Sequence, residues 1–173
     1  MQHSIFELNC DDGSWDAFVA DWTAQCEKYD EDFAEYATGT FSVVKDLVKV
    51  PEPKAGVFAI HDGKLHNAVC QINTTPLPGY DGPVMRVRHL ALCPELDYGD
   101  HSIDVYADAL MLGFAGIMAL SDRHEKVAAK HVKLHLRSPA DRQFFSALSS
   151  GLSELDEFSA VRLAGSWLYV SKN

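Results

Sequence analysis

At 173 residues, nearly half of them hydrophobic, the chain can bury one sizeable core, and nothing interrupts it that would serve as a linker, so one domain over residues 1–173 is expected. A formal charge of −10 argues against a nucleic-acid partner, which needs clustered cations, while leaving room for a local basic patch that holds a small anion. The N-terminal stretch MQHSIFELN has neither a basic nor an apolar leader region, and the longest unbroken apolar run, Ala109 to Leu120, is too short to cross a bilayer; a cytoplasmic protein without a membrane partner is expected.

Ser4 to Asn9 alternates as a first strand, and Asp11-Asp12-Gly13-Ser14 offers a turn and a helix start. Trp15, Phe18, Val19, Trp22, Cys26, Tyr29, Phe33 and Tyr36 recur at three- and four-residue steps, which predicts one long amphipathic helix whose aromatic stripe lies in the core. Phe41 to Val50 follows as a second, shorter helix, stopped by Pro51 and Pro53. Ala55 to Ile60 and Leu65 to Thr74 form a hairpin around His61-Asp62-Gly63-Lys64, with Asp-Gly supplying the positive φ of the turn.

After a Pro- and Gly-rich loop, Val84 to Cys93 reads as a third consecutive antiparallel strand, Glu95 to Ser102 as a loop, and Ile103 to Leu120 as a buried helix. Strand, tight loop and helix in this order aim the helix N-terminus, with its unpaired N–H groups, at the end of the strand, an arrangement suited to an anion. Gly113 and Gly116, with Ala109 one turn earlier, give this helix a small-residue stripe for close approach to the sheet. Lys130 to Arg137 alternates as a strand, Ser138-Pro139-Ala140-Asp141 starts a helix with Phe144, Phe145, Leu148 and Leu152 facing inward, and Phe158 to Leu163 and Ser166 to Ser171 close the chain as a strand pair.

Cys10, Cys26, Cys70 and Cys93 are spaced without a C-x-x-C pair, so reduced thiols and no metal are expected. His131 and His135 lie about 13 Å apart on a strand, too far to share a zinc ion. On the strand from Val84, His89 is expected to share a face with Met85, Val87, Ala91 and Cys93; there it is either a base that takes a proton from an amine or a structural histidine with one nitrogen bonded to backbone. Cys93, about 13 Å from His89 along the strand, is a packed thiol. Arg86 and Arg88, with Lys130, Lys133 and Arg137, form either a basic strip for an anionic ligand or a solvated surface.

The sequence Leu90-Ala91-Leu92-Cys93-Pro94, and the run KLHLRSPADRQFFSALSSGL followed by a Trp-containing strand, resemble the fourth strand and the closing half of the GNAT N-acetyltransferase superfamily. The resemblance covers nearly the full chain through its element order. It implies an α/β (α+β) fold with a single mixed, mostly antiparallel sheet of about seven strands and about four helices, in the order β-α-α-β-β-β-α-β-α-β-β. It also implies acyl-CoA-dependent transfer, acetyl transfer above all, to the amine of a small molecule or peptide. The alternative is a catalytically inactive GNAT-like module that binds a ligand or protein. A homodimer is left open.

By the same resemblance, acyl-CoA is held at Leu90 and Leu92 and by Gly99, Asp100, His101 and Ser102; His89, from its place on the strand, is the candidate catalytic base. The family's diphosphate loop places an arginine, a glycine and a small residue where this chain has Asp97, Asp100 and Ser102. Asp97, Asp100 and Asp104 therefore bring up to three carboxylates to the diphosphate position, unless Asp100 or Ser102 is turned inward to cap the helix. The family's proton-donating tyrosine falls on Phe145, which has no proton to give.

Overall fold

The computed structural model describes residues 4–173; the first three residues of the N-terminal stretch discussed above lie outside the described residues. One mixed seven-stranded sheet has the order β1-β2-β3-β4-β5-β7-β6, with β1 Ser4–Glu7, β2 Ala55–His61, β3 His66–Pro76, β4 Pro83–Leu92, β5 His131–His135, β6 Phe158–Ala164 and β7 Trp167–Lys172. Every neighbouring pair is antiparallel except β4 and β5, which run parallel. Five helices accompany it: α1 Ser14–Glu27, α2 Phe33–Lys49, α3 Pro94–Tyr98, α4 Ile103–Arg123 and α5 Pro139–Leu152.

Two elements differ from the sequence reading. The long first helix is broken at Lys28 to Asp32, where Asp30 adopts φ 56° and the Asp32 side chain caps a new helix by accepting the Glu35 N–H at 3.0 Å. The cap signal Asp-x-x-Glu sits inside an acidic run, which masks it in the sequence. Helix α2 then runs straight through Gly39 to Lys49, ahead of Pro51. The expected loop after β4 begins instead with the short helix α3, started by Pro94 at its first turn with Glu95 and Asp97 at its positive end.

Each face of the sheet has its own core. Helices α1 and α2 cover one face through Trp15, Phe18, Trp22, Phe41 and Val44, packed on Val57, Ala59, Val69 and Cys93. Helices α4 and α5 cover the other through Leu110, Phe114, Ile117 and Phe145, packed on Ile72, Met85, Val87, Leu134 and Leu168. Two bonds fasten α1 to the start of β3: the Trp22 indole donates to the His66 carbonyl at 2.7 Å, and Asp21 accepts the His66 backbone N–H at 2.7 Å. In α5 the capping box of Ser138 and Asp141 forms as expected.

Helix α4 is long and apolar enough, by length and composition, to cross a bilayer, which the unbroken run Ala109 to Leu120 alone is not. Its inward face is buried against the sheet at Leu110, Gly113, Phe114, Ile117 and Leu120. Its two glycines allow the close approach: a Cβ at Gly113 would meet Ile60 at 3.4 Å, and one at Gly116 would meet Ile5 at 3.2 Å. Gly113→Ala should therefore be neutral or raise stability by up to about 1 kcal/mol, the helix-propensity difference, while Gly116→Ala gains less because Ile5 must move. Gly113→Leu should lose on the order of 1–3 kcal/mol through overpacking against Ile60. Denaturant melts of the three variants check the ranking, and an unchanged midpoint for Gly113→Leu would contradict the contact.

Candidate functional site

A cleft opens where β4 and β5 part. The two strands pair from Val84↔His131 to Val87↔Leu134 and no further. Beyond that point β4 stays with β3, through Val69↔Ala91 and Ala68↔Leu92, while β5 stays with β7, the Leu136 N–H donating to the Ser166 carbonyl at 2.9 Å. The divergence starts at a β-bulge: His89 and Leu90 together oppose the single residue Cys70, and His89 takes φ 50°. A bulge bends its strand and increases local twist, which carries β4 away from its parallel neighbour.

The cleft holds about 280 Å³. Leu90, Ala91 and Leu92 form one wall and Arg137, Ser138 and Asp141 the other, while Tyr36, Thr40 and Phe41 line it from α2 and Tyr106 and Leu110 from α4. The Arg137 guanidinium donates to Thr40 Oγ1 at 2.8 Å, tying the end of β5 to α2. The Tyr106 hydroxyl donates to Asp141 at 2.9 Å. Burial, then the Asp141 charge, push Tyr106 up to about 12.

The Tyr36 hydroxyl lies 2.7 Å from the Leu92 carbonyl oxygen and 2.8 Å from Asp97 Oδ2. One phenolic proton cannot serve two acceptors, so the arrangement is fully satisfied only when Asp97 is protonated and donates to Tyr36 while Tyr36 donates to Leu92. Burial, opposed in part by the Tyr36 bond and reinforced by Asp141, raises Asp97 above the usual carboxylate range. Tyr36 is also held well above its ordinary value, by burial first and by Asp97 next.

The bulge relocates residues that an unbroken alternation would group together. Met85 and Val87 face the α4/α5 core, joined after the bulge by Leu90 and Leu92. Ala91 and Cys93 face the α1/α2 core, so the face expected to join His89 with Met85, Val87, Ala91 and Cys93 does not exist. His89 instead lines a cavity of about 250 Å³ with Arg88, His135, Arg137 and Trp167, which shares Arg137 with the cleft. Its Nδ1 is buried without a hydrogen-bond partner, which removes the reading of that nitrogen as bonded to backbone. Burial, then the Arg137 and Arg88 charges, lower its pKa, so the ring is neutral at pH 7.

Cys93 is a packed thiol, pushed up to about 11 chiefly by burial. Phe145 is fully buried in the α4/α5 core. Ser102 occupies the N-cap position of α4 but its side chain makes no capping bond, and the N-cap residue is not Asp100; the expected side-chain cap is absent because both residues point to solvent. Asp97 is drawn into the cleft by Tyr36 and does not guard this helix end, leaving Asp100 and Asp104 as its neighbouring acids. Gly99 is required by packing, since a Cβ there would collide with the Glu95 carbonyl and the His101 ring. His101 lies 3.5 Å from Glu95, which Lys28 also pairs at 2.7 Å. Among the described residues no group of three or more His, Cys, Asp or Glu side chains is placed to hold a metal ion.

Tyr36, Tyr106 and Asp141 are not visible as site residues in the sequence. Tyr36 belongs to the aromatic stripe, and only its polar tip, which a buried tyrosine must satisfy, distinguishes it from core. Because the folded-state pKa of Asp97 is raised, stability is full below its unfolded value near 4 and is lost as pH rises through the folded value. Asp97→Asn, which keeps both hydrogen bonds without a charge, should raise the melting temperature at pH 7, by an amount that shrinks as pH falls toward 4. Melting curves across that range check it; a constant difference would show that Asp97 is not strained by ionisation.

No family model matches the sequence, and no curated protein matches it. Solved structures do. A probable acetyltransferase from Staphylococcus epidermidis superposes with a TM-score of 0.50 at 11% identity, over 98% of this chain and 96% of that one. An aminoglycoside N(6')acetyltransferase from Legionella pneumophila superposes with a TM-score of 0.52 at 14% identity, over 98% of this chain and 92% of that one. Near-complete coverage in both directions, together with the element order, shows that the chain has the GNAT fold.

Proposed function

We propose that the protein transfers an acyl group from an acyl-CoA, such as acetyl-CoA, to the amine of a small molecule or peptide. The observation that carries this reading is the parting of β4 from β5. It leaves the edge of β4 from Arg88 to Leu92 unpaired on the β5 side, inside the cleft, and an extended amide-containing chain such as a pantetheine arm pairs with such an edge as a strand would. The α4 N-terminus, free of a side-chain cap, offers bare N–H groups to a diphosphate. Asp100 and Asp104 oppose that charge, so the fit is a weakened one.

In the transfer step the amine lone pair attacks the thioester carbonyl carbon, the C–N bond forms and the C–S bond breaks. His89, neutral because its pKa is lowered, takes the proton that the amine gives up, and Tyr106, held protonated at pH 7 by its raised pKa, supplies one to the departing sulfur. The aminoglycoside specificity of the Legionella protein supports a small amine as acceptor.

Calorimetric titration of acetyl-CoA tests the reading. Saturable binding is expected, tightened about fivefold in Asp100→Asn, the equivalent of roughly 1 kcal/mol for one removed charge near a phosphate. His89→Gln should leave acetyl-CoA affinity unchanged and lower the turnover of an acylated amine, on the order of 10²-fold for a lost general base. No heat at millimolar acetyl-CoA in either protein would remove the enzyme and leave a GNAT-like ligand-binding module.

A further inference from the structure

The half of the sheet face that α1 and α2 do not cover carries an unneutralised row of cations. Asn73, Arg86, Lys133, Tyr169 and Arg162 are successive register partners across β3, β4, β5, β7 and β6, so their side chains stand side by side on one face at the strand spacing of about 5 Å. One step along, Arg88 pairs with Gln71 and His135 with Trp167, and Arg137 closes the end. Among the described residues none of Arg86, Arg88, Lys133, Arg137 or Arg162 forms an ion pair with a carboxylate within 4.0 Å. Lys130, which the sequence groups with them, is turned aside to Asp81 at 3.6 Å.

Three buried nitrogens on this patch, Arg86 Nε, Arg88 Nε and His89 Nδ1, have no hydrogen-bond partner. Lys133 and Arg162 are compensated by aromatic rings: Lys133 Nζ lies 4.3 Å from the Trp167 ring centre and Arg162 4.0 Å from that of Tyr169. Like charges placed opposite one another on a sheet destabilise it, and buried donors without acceptors are rare in folded proteins. The repulsion is resolved by one event, the arrival of an anion.

We propose that this face binds a small carboxylate or phosphate anion and, resting on the acyl-transfer reading above, that the acceptor is an amine carrying such a group, held by Arg88, Lys133 and Arg137 with its nitrogen toward His89 and the cleft. A small ligand fits better than a polyanion. The cavity beside Arg88, His89 and Trp167 holds about 250 Å³, and the net charge of −10 repels an extended polyanion at long range.

The test titrates inorganic phosphate and malonate separately into the full chain and into Arg88→Gln and Lys133→Gln, with Lys49→Gln, at the far end of α2, as control. One-site binding of at least one anion is expected, which tells phosphate from carboxylate, with affinity at least tenfold weaker in the two patch variants and unchanged in the control. Without anion Arg88→Gln should melt no lower than the parent, because it relieves repulsion, and added anion should raise the parent's melting temperature but not the variant's. Absence of saturable binding by both anions, or equal binding in correctly folded patch variants, overturns the site. In the acylation arm, 2-aminoethyl phosphate against ethanolamine and β-alanine against propylamine should show at least a tenfold higher kcat/KM for the matching anionic amine, collapsing in Arg88→Gln; equal rates overturn the acceptor assignment. Acetyl-CoA is titrated on the same samples: anion binding without acetyl-CoA binding sinks the acyl-transfer reading alone, and the converse sinks the anion site alone.

Discussion

The bulge at His89 and Leu90 is the constraint on which the rest of the site depends. Antiparallel pairing with β3 holds β4 before it and after it, so the extra residue cannot be relaxed by sliding the strand. A non-glycine residue in the left-handed region carries a penalty on the order of 1–2 kcal/mol, which the ladder on both sides and the buried Met85, Val87 and Leu92 hold in place. The same residue that stores this strain reverses the facing of everything after it. Leu90 and Leu92 turn toward α4, Ala91 and Cys93 turn under α1/α2, and β4 swings away from β5.

That divergence creates a cleft and also decides what is polar within it. A continued ladder would have consumed the backbone groups of Arg88 to Leu92; the parted one leaves them to whatever enters, with Tyr36 satisfying the Leu92 carbonyl. Tyr36, Asp97, Tyr106 and Asp141 come from four separate helices, and their hydrogen bonds tie α2 to α3 and α4 to α5 at the opening. Burial holds Tyr36 and Tyr106 protonated at neutral pH, with the neutral His89 imidazole in the neighbouring cavity.

The two halves of the α1/α2 face of the sheet differ in kind. Under the helices the strands present Val57, Ala59 and Val69; beyond them they present Arg86, Arg88 and Lys133. Two unit charges held at the strand spacing repel by roughly 1–3 kcal/mol between water-like and surface-like dielectrics, whereas an exposed cation–π contact returns about 0.5–1 kcal/mol. The aromatic residues of β7 therefore offset only part of the repulsion, and in a protein with ten surplus negative charges no carboxylate among the described residues pairs with this patch within 4.0 Å. Fold stability alone gives no reason for such an arrangement.

Local chemistry determined the elements themselves. The Asp-Gly turn of the hairpin, Ser-Pro-x-Asp at the start of α5, the stop at Pro51 and the period-two strands are short-range signals, and each acts through hydrogen bonds or steric limits within a few residues of its own position. The element order that follows from them carried the fold. Tertiary structure decided what periodicity cannot express. A single bulged residue changes strand facing without changing composition, so the surroundings of His89 and Cys93 were hidden; the acidic cap at Asp32 was hidden within a charged run; and Tyr36 and Tyr106 differ from core aromatics only by partners 61 and 35 residues away. The basic residues were visible as a strip along two strands, but only the register across five strands aligned Arg162 with them and left the whole row without a counter-charge, because pairing between distant strands is a property of the assembled sheet.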